Sequence, residues 1–198
     1  MRIAVFGANG GTGRLVVTEA RRRGIQVAAV VRREPTEPFD DGVAVVVRDP
    51  SSRSVIAGVV AGTDAVVSAL GPVAQVTETE ISAVTALIVR VLETGTPRRL
   101  IVPANASVFD EAEVTGPFAN VAAEHRRNLA TLRASDLDWT MVAAPYLSDD
   151  PPTGSIRTAV DAAPDGRTLT RGDYAATMLD AIERRDWVGH IVGVANGS

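Results

Sequence analysis

Residues 2–14 read Arg2-Ile-Ala-Val-Phe-Gly-Ala-Asn-Gly-Gly-Thr-Gly-Arg14, and this stretch decides the fold. Its apolar run has the length of a buried strand and ends at Gly7, and residues 14–23 carry apolar residues at helical spacing before Gly24. Between strand and helix the glycines follow the spacing G-x-x-G-x-x-G. A strand, a glycine turn and a helix in this order predict the opening unit of a doubly wound α/β fold.

Glycine loops of this kind hold the pyrophosphate of a dinucleotide, and each glycine has its own task. Gly7 is predicted to make the turn, Gly10 to let the backbone approach the phosphates, and Gly13 to let helix pack on strand. The phosphates then lie at the helix N-terminus, where free N–H groups and the helix dipole favour negative charge. The predicted cofactor contacts of the loop are Gly7, Asn9, Gly10, Gly11, Thr12 and Gly13. The alternative is a glycine-rich turn that only satisfies local geometry.

The end of the second predicted strand indicates which dinucleotide is bound. Proteins that bind NAD place an acid there for the ribose 2′-hydroxyl, whereas this chain has Val31-Arg32-Arg33. A guanidinium matches a phosphate by bidentate hydrogen bonding, so the arginine pair favours NADP(H). Glu34 lies one step further into the loop. The alternative is a pair of solvated surface arginines.

The rest of the chain continues the alternation of strands and helices. Further strands are predicted at residues 26–31, 43–47, 64–70, 99–102, 138–144 and 188–194, and helices at 51–60, 77–93, 119–134 and 173–184. The strands at 26–31 and 43–47 are valine-rich and predicted to be buried on both faces. Ser51 is a candidate cap, and Thr77 with Glu80 fits a capping box. This alternation predicts a Rossmann-type, doubly wound parallel sheet.

The chain is expected to fold as one NAD(P)-binding domain. Its 198 residues suit a single domain over residues 1–198 better than two. Residues 145–198 differ from the rest of the chain in composition, because prolines and glycines interrupt short apolar runs before the last helix and strand. Ligands of doubly wound sheets bind at the carboxyl ends of the strands, so this segment is predicted to form a small irregular cap on the substrate side.

Composition excludes several classes of function. The net charge of −4 and the aromatic content of 4% argue against a nucleic-acid partner. No cysteine occurs, which excludes a disulfide scaffold and a cysteine nucleophile, and with only two histidines no metal site is expected. The N-terminal apolar run is too short for a signal peptide or a membrane span. The expected location is the cytoplasm, with no membrane partner.

All 20 Lys+Arg residues are arginine, so the chain contains no lysine. This excludes Schiff-base chemistry, a phosphate-binding loop with a Walker lysine, and a catalytic pair of tyrosine and lysine.

With these features in place, the sequence resembles the atypical short-chain dehydrogenase/reductase families with an NAD(P)H-binding core, and especially the biliverdin IXβ and flavin reductases. The resemblance covers nearly the whole chain. It is carried by Phe6-Gly-Ala-Asn-Gly-Gly-Thr-Gly13, Val30-Val-Arg32, Val47-Arg-Asp49, Gly62-Thr-Asp-Ala-Val-Val67, Leu70-Gly71, Leu132-Arg-Ala-Ser135 and Pro152-Thr-Gly154.

The resemblance implies positions for the rest of the cofactor. Asp49 and Pro50 are expected to flank the adenine, and Leu70 and Gly71 the ribose side of the nicotinamide. The reacting end is expected to lie near His125, Tyr146 and Leu147. The alternatives are that Asp49 caps the following helix and that Leu70 belongs to the core.

The chain departs from the family where a Thr-Ser or Ser-Ser pair usually follows the fifth strand. It reads Ala104-Asn105-Ala106-Ser107 there, with the serine displaced by one position. The candidate catalytic residues are therefore Asn105 and Ser107, either of which can orient a substrate carbonyl. A shift of one residue along an extended segment would point the hydroxyl elsewhere.

These features together predict that the protein is an NADPH-dependent oxidoreductase. It is expected to transfer hydride to a planar conjugated acceptor such as a flavin, a linear tetrapyrrole or a quinone. The reductases it resembles take the proton from solvent, although His125 is a further candidate donor. The alternative is a regulator of the NmrA-like type that senses NADP(H) without turnover. A sugar-nucleotide epimerase is disfavoured by the missing tyrosine and lysine pair. The partner is expected to be a small molecule, and the protein a monomer or a dimer.

Overall fold

The computed structural model describes residues 1–71, 80–110 and 114–197. Its strands are β1 Arg2–Phe6, β2 Gln26–Val31, β3 Ala44–Val47, β4 Ala65–Ser68, β5 Arg99–Asn105, β6 Asp138–Ala144, β7 Tyr146–Ser148, β8 Ile156–Val160, β9 Thr168–Thr170 and β10 His190–Asn196. Its α-helices are α1 Gly11–Arg22, α2 Arg53–Val60, α3 Glu80–Leu92, α4 Ala119–Arg133 and α5 Arg171–Glu183. Short 3-10 helices lie at residues 106–109, 116–118 and 185–187.

The central sheet has eight strands in the order β3-β2-β1-β4-β5-β6-β10-β8. All neighbours run parallel except β8, which lies antiparallel to β10 at the edge. The chain moves outward in one direction from β1 to β3 and in the other from β4 to β6, so the order reverses between β1 and β4. This reversal opens a crevice at the carboxyl ends of the two strands. The predicted Rossmann-type sheet and single domain are confirmed.

Helices cover both faces of the sheet because successive strand residues point to opposite sides. Ile3 and Val5 contribute to one core cluster, which α1 and α5 cover, whereas Ala4 and Phe6 contribute to the other, which α2, α3 and α4 cover. Both clusters are fully buried at their centres. Each strand of the centre therefore reads as a continuous apolar run. Within the described residues, none of the helices combines the length and apolar content needed to cross a membrane.

Several predicted boundaries differ from the structure. Strand β3 is an edge strand whose Val45 is 40% exposed, so burial on both faces was wrong for that run. Strand β5 continues through Pro103 to Asn105. Its pairing with β4 ends at Ile101, so β4 needs no N–H from the proline. Helix α1 starts inside the glycine loop, since Gly10 already has the extended backbone of a helix cap. Ser52 rather than Ser51 precedes α2, and Thr77 lies outside the described residues.

The C-terminal segment is more regular than its composition predicts. It contributes β8 and β10 to the central sheet and forms a separate parallel pair from β7 and β9. The last strand is His190–Asn196, two residues later than predicted, because residues 185–187 form a 3-10 helix. These strands are short and bounded by prolines and glycines, so sequence periodicity does not reveal them.

Candidate functional site

A cleft with a cavity volume of about 690 Å³ opens at the carboxyl ends of β1, β2 and β4. It lies at the point where the strand order reverses. The residues that line it are Gly7, Asn9, Gly10, Val30, Val31, Arg32, Arg33, Asp49, Pro50, Ser51, Ala69, Leu70, Gly71, Ile81 and Val84. The structure thus brings together the start of the glycine loop, the arginine pair, Asp49-Pro50 and Leu70-Gly71, which are far apart in the sequence.

Two positions of the glycine loop, Gly7 and Gly13, have no room for a side chain. A Cβ on Gly13 would lie 2.1 Å from the carbonyl oxygen of Gly7, so α1 can pack this closely only with glycine there. Gly7 itself has a φ of +76° and its carbonyl accepts the N–H of Gly10 at 3.0 Å. The loop is therefore a bare backbone surface at a helix N-terminus, which fits a bound pyrophosphate. Gly11, Thr12 and Gly13 form the first turn of α1 and continue the loop from Gly10, which lines the cleft.

Arg14, which the sequence analysis did not single out, holds the loop in place. Its guanidinium donates to Asn9 Oδ1 at 2.6 and 3.1 Å and to the carbonyl of Glu37 at 2.7 Å. The same group lies over the ring of Phe39, 4.9 Å from its centroid. Asn9 is thereby joined to the loop that follows β2, and the glycine turn and the arginine pair are held in one arrangement.

Arg32 and Arg33 follow directly after β2 and line the cleft beside Asp49 and Pro50. Both arginines are exposed. Asp49 Oδ1 accepts the N–H of Ser51 at 2.9 Å, so this side chain shapes the turn before α2 as well as the cleft wall. Two cations thus stand in the wall of the cleft, directly after β2.

The opposite wall of the cleft is apolar. Leu70 packs against the core cluster on the α3 side and also lines the cleft, so its two alternative roles are combined. Ile81 and Val84 of α3 lie on the same wall. Gly71 is exposed at the rim. This wall suits a flat, weakly polar ring more than a charged group.

Asn105 and Ser107 interact with each other at the end of β5. Asn105 Oδ1 accepts the hydroxyl of Ser107 at 2.5 Å and its N–H at 3.3 Å, and thereby caps the 3-10 helix at residues 106–109. Because the segment is helical rather than extended, the displaced serine turns back toward Asn105 instead of pointing elsewhere. Both side chains are half-buried, and neither lines the described cleft. Their catalytic role stays a prediction.

His125 lies on α4 and is 5% exposed. Burial lowers its pKa to about 4, against the opposing effects of the neighbouring Glu124 carboxylate and a hydrogen bond to the backbone of Pro103. The ring is therefore neutral near pH 7, so His125 has no proton to give as an acid there. Within the described residues, its Nδ1 is buried without a hydrogen-bond partner and the ring does not line the cleft.

The two tyrosines have opposite environments. Tyr146 is 73% exposed on β7, and Leu147 beside it packs on the core cluster under α5. Tyr174 is 2% exposed, and its hydroxyl donates to the carbonyl of Val142 at 2.7 Å. Burial raises the pKa of Tyr174, so this hydroxyl stays protonated and serves the packing of α5 on the sheet. Contacts of Tyr146 and Leu147 with the reacting end stay a prediction.

Arg171, the first residue of α5, is a further residue beside the glycine loop. Its Nη1 donates to Thr12 Oγ1 at 3.3 Å across 159 positions of sequence. No local pattern reveals this contact, because it depends on how α5 packs beside α1.

A mostly parallel sheet, a crevice where its order reverses and a bare glycine loop at a helix N-terminus define a Rossmann-type nucleotide-binding protein. Residues 7–185 match the family described as NAD(P)H-binding, and the chain belongs to that family.

Relatives from several bacteria share this architecture. Uncharacterized protein YwnB of Bacillus subtilis (strain 168) is 29% identical over 201 residues, which covers 92% of each chain. A Burkholderia pseudomallei structure, provisionally described as an exported protein, is 27% identical with a TM-score of 0.84 and covers 98% of this chain and 99% of its own. A Streptococcus pneumoniae TIGR4 structure, provisionally assigned as an NADH-flavin reductase, is 24% identical with a TM-score of 0.85 over 100% of both chains. At that identity the likeness shows the fold.

Proposed function

We propose that the protein is an NADPH-dependent reductase that transfers hydride to a planar conjugated acceptor, such as a flavin, a linear tetrapyrrole or a quinone. The observation that carries this proposal is the arginine pair in the cleft. Arg32 and Arg33 line the same cavity as the glycine loop, at the end of the strand where cofactor choice is made. The structure assigned provisionally as an NADH-flavin reductase supports a flavin as the first acceptor to test, although its description names NADH.

The chain's own residues position the reactants rather than perform acid–base chemistry. When bound, the reduced nicotinamide supplies the hydride, and the apolar wall of Leu70, Ile81 and Val84 offers a dry surface to flat rings. His125 is neutral, Tyr174 is engaged with the backbone of Val142, and the chain has no lysine. The proton that accompanies the hydride is therefore taken from solvent. Asn105 and Ser107 orient the acceptor from the end of β5, and residues 145–198 contribute the cap on the substrate side through the parts that lie outside β8, β10 and α5.

Steady-state kinetics test the proposal. NADPH oxidation, followed by the loss of nicotinamide absorbance, is expected to accelerate with FMN, biliverdin or a quinone, and NADH is expected to be the poorer donor. The rate should vary little between pH 6 and 8, because the reaction uses no protein acid that titrates there. If NADPH binds but no acceptor raises its oxidation above the rate without protein, the reductase proposal is wrong. The NmrA-like sensing of NADP(H) is then the better account.

The proposal extends to partners and location. A small-molecule acceptor is the partner, with neither nucleic acid nor membrane involved, and the protein works as a monomer or a dimer. We place it in the cytoplasm, in contrast to the provisional description of the Burkholderia relative as exported.

A further inference from the structure

The first residue of α5 lies over the first turn of α1. Arg171 reaches Thr12 Oγ1 with Nη1, and its Cδ and Nε lie 3.5 Å from where a Cβ on Gly11 would stand. Within the described residues, α1 has no acidic residue in its first turn and no side-chain cap at Gly10. The guanidinium therefore adds a positive charge to the helix end that holds the glycine loop.

This guanidinium is paired with an exposed carboxylate. Arg171 Nε donates to Asp149 Oδ1 at 2.7 Å, and the two side chains are 25% and 83% exposed respectively. The hydrogen bond and charge of Arg171 lower the pKa of Asp149. An exposed ion pair is weak, because water solvates both partners. A pyrophosphate at the helix end is a stronger partner, since it carries two charges and can also accept backbone N–H groups.

Asp149 begins a segment, residues 149–154, that is docked on the first turn of α5. Pro152 packs so closely on Gly172 that a Cβ added to Gly172 would lie 3.1 Å from the Cβ of Pro152. Thr153 and Gly154 donate their N–H groups to Asp173 at 2.9 and 3.0 Å. The segment follows β7, which carries the residues predicted at the reacting end. Arg171 therefore joins the pyrophosphate loop to the segment that leads from the reacting end.

We infer that Arg171 binds the pyrophosphate of the cofactor, and that Asp149 holds the guanidinium until the cofactor displaces it. This inference rests on the proposed function to the extent that it needs a nicotinamide dinucleotide in the cleft. Because NADPH and NADH share the pyrophosphate, Arg171 adds affinity for both. Arg32 and Arg33, by contrast, distinguish the two cofactors.

The test is to measure the Kd of the full chain for NADPH and NADH by calorimetry. Arg171→Gln is expected to weaken both by the same factor, roughly tenfold, because a charge-assisted contact is lost. Arg171→Lys should recover part of this loss, since it restores the charge without the planar fork. Asp149→Asn is expected to tighten both by roughly two- to fivefold, the strength of an exposed ion pair.

Asp150→Asn is the matched control. It removes the same charge from the next residue, which is also exposed, and should change either Kd only slightly. In the Arg171→Gln background, Asp149→Asn should have no effect, because its action passes through the arginine. Unfolding temperatures of the unliganded variants show whether the fold is retained.

Two failures can be told apart. If the unmodified protein binds neither nucleotide, the proposed function itself is wrong and this inference falls with it. If the protein binds NADPH and Arg171→Gln leaves both Kd values unchanged, or weakens NADPH alone, only the pyrophosphate role is overturned. Equal effects of Asp149→Asn and Asp150→Asn would overturn the displacement of Asp149.

Discussion

Arg32 and Arg33 are the side chains on which cofactor choice rests in the proposed function. They stand directly after β2, exposed and on the wall of the cleft, and the chain has no acid at the position where NAD-binding proteins place one. The pyrophosphate loop is a separate set of residues, formed by backbone. A change at the arginines should therefore alter selectivity without changing the rest of the site.

Replacing both Arg32 and Arg33 by alanine is expected to weaken NADPH binding roughly tenfold or more, because each charge-assisted contact contributes about 1.5 to 3 kcal/mol. NADH binding should hardly change, since NADH has no 2′-phosphate. Titration of nicotinamide fluorescence against each variant measures both affinities.

The double variant Arg22→Ala with Arg185→Ala is the matched control. Arg22 ends α1, Arg185 follows α5, and the two side chains are 72% and 75% exposed, so the same two charges are removed away from the cleft. This control should affect neither cofactor. Equal weakening of NADPH and NADH by the first variant would mean that Arg32 and Arg33 attract anions in general and do not select NADPH.

At the scale of elements, the proposed pyrophosphate site depends on how closely α1 packs at the end of β1. The helix is packed against the turn so closely that the Cα of Ala8 and the carbonyl oxygen of Gly7 occupy the space beside Gly13. These contacts are with backbone, so no side-chain rotation can relieve them.

Gly13→Ala is accordingly expected to lower the free energy of unfolding by roughly 1 to 3 kcal/mol or more, and to abolish NADPH binding as α1 moves off the turn. Gly58→Ala is the control, because Gly58 lies within α2 and an added Cβ meets nothing within 4 Å. That change should stabilise the protein by up to about 1 kcal/mol through helix propensity. Urea unfolding and a cofactor titration measure both effects, and normal NADPH affinity in Gly13→Ala would contradict the assigned role of the loop.

At the scale of the whole molecule, a buried carboxylate joins the C-terminal segment to the sheet. Asp173 is 3% exposed and accepts hydrogen bonds from Thr153, Gly154 and the amide of Asn196, the last at 2.7 Å. Asn196 ends β10, and its Oδ1 also accepts the N–H of Thr170 at 2.7 Å. One charged group thus holds the segment after β7, the start of α5 and the end of the last strand.

This network predicts a pH dependence of stability. Burial alone would raise the pKa of Asp173, but the donated hydrogen bonds outweigh it and lower the pKa to about 2 from 3.8. A lowered pKa in the folded state stabilises the protein at pH values above 3.8, and this contribution is lost as the pH falls toward 2. Its full size is roughly 2 kcal/mol at pH 7.

Asp173→Asn should therefore lower the free energy of unfolding by roughly that amount at pH 7, and the difference from the unmodified protein should shrink between pH 4 and pH 2. Urea unfolding at a series of pH values measures this difference. Asp165→Asn is the control, because Asp165 is an exposed carboxyl elsewhere in residues 145–198. It should change the free energy of unfolding little at any pH. A difference for Asp173→Asn that does not vary with pH would show that packing, and not the charge, holds the segment.

Much of this architecture was predictable from local sequence. Apolar runs of strand length, helical spacing between them and the glycines of residues 7–13 predict the central strands and all five α-helices of the described part of the chain. They also predict the order in which these elements follow one another along the chain. Strand β6 was predicted to the residue. In the cleft, the glycine loop and the arginine pair were predictable from their positions directly after β1 and β2. Asp49, Pro50, Leu70 and Gly71 were expected there only from the family resemblance.

Other features were decided only by the tertiary structure. Arg99 belongs to a short arginine cluster in the sequence, yet it is 5% exposed and donates to the carbonyls of Ala181 and Ile182 at the end of α5. The contact of Arg171 with Thr12 is of the same kind, as is the burial of His125, which lies on an otherwise polar turn of α4. The physical reason is common to all three. Periodicity and turn chemistry are properties of neighbours in sequence, whereas the charge, burial and partners of a side chain depend on which distant element packs against it.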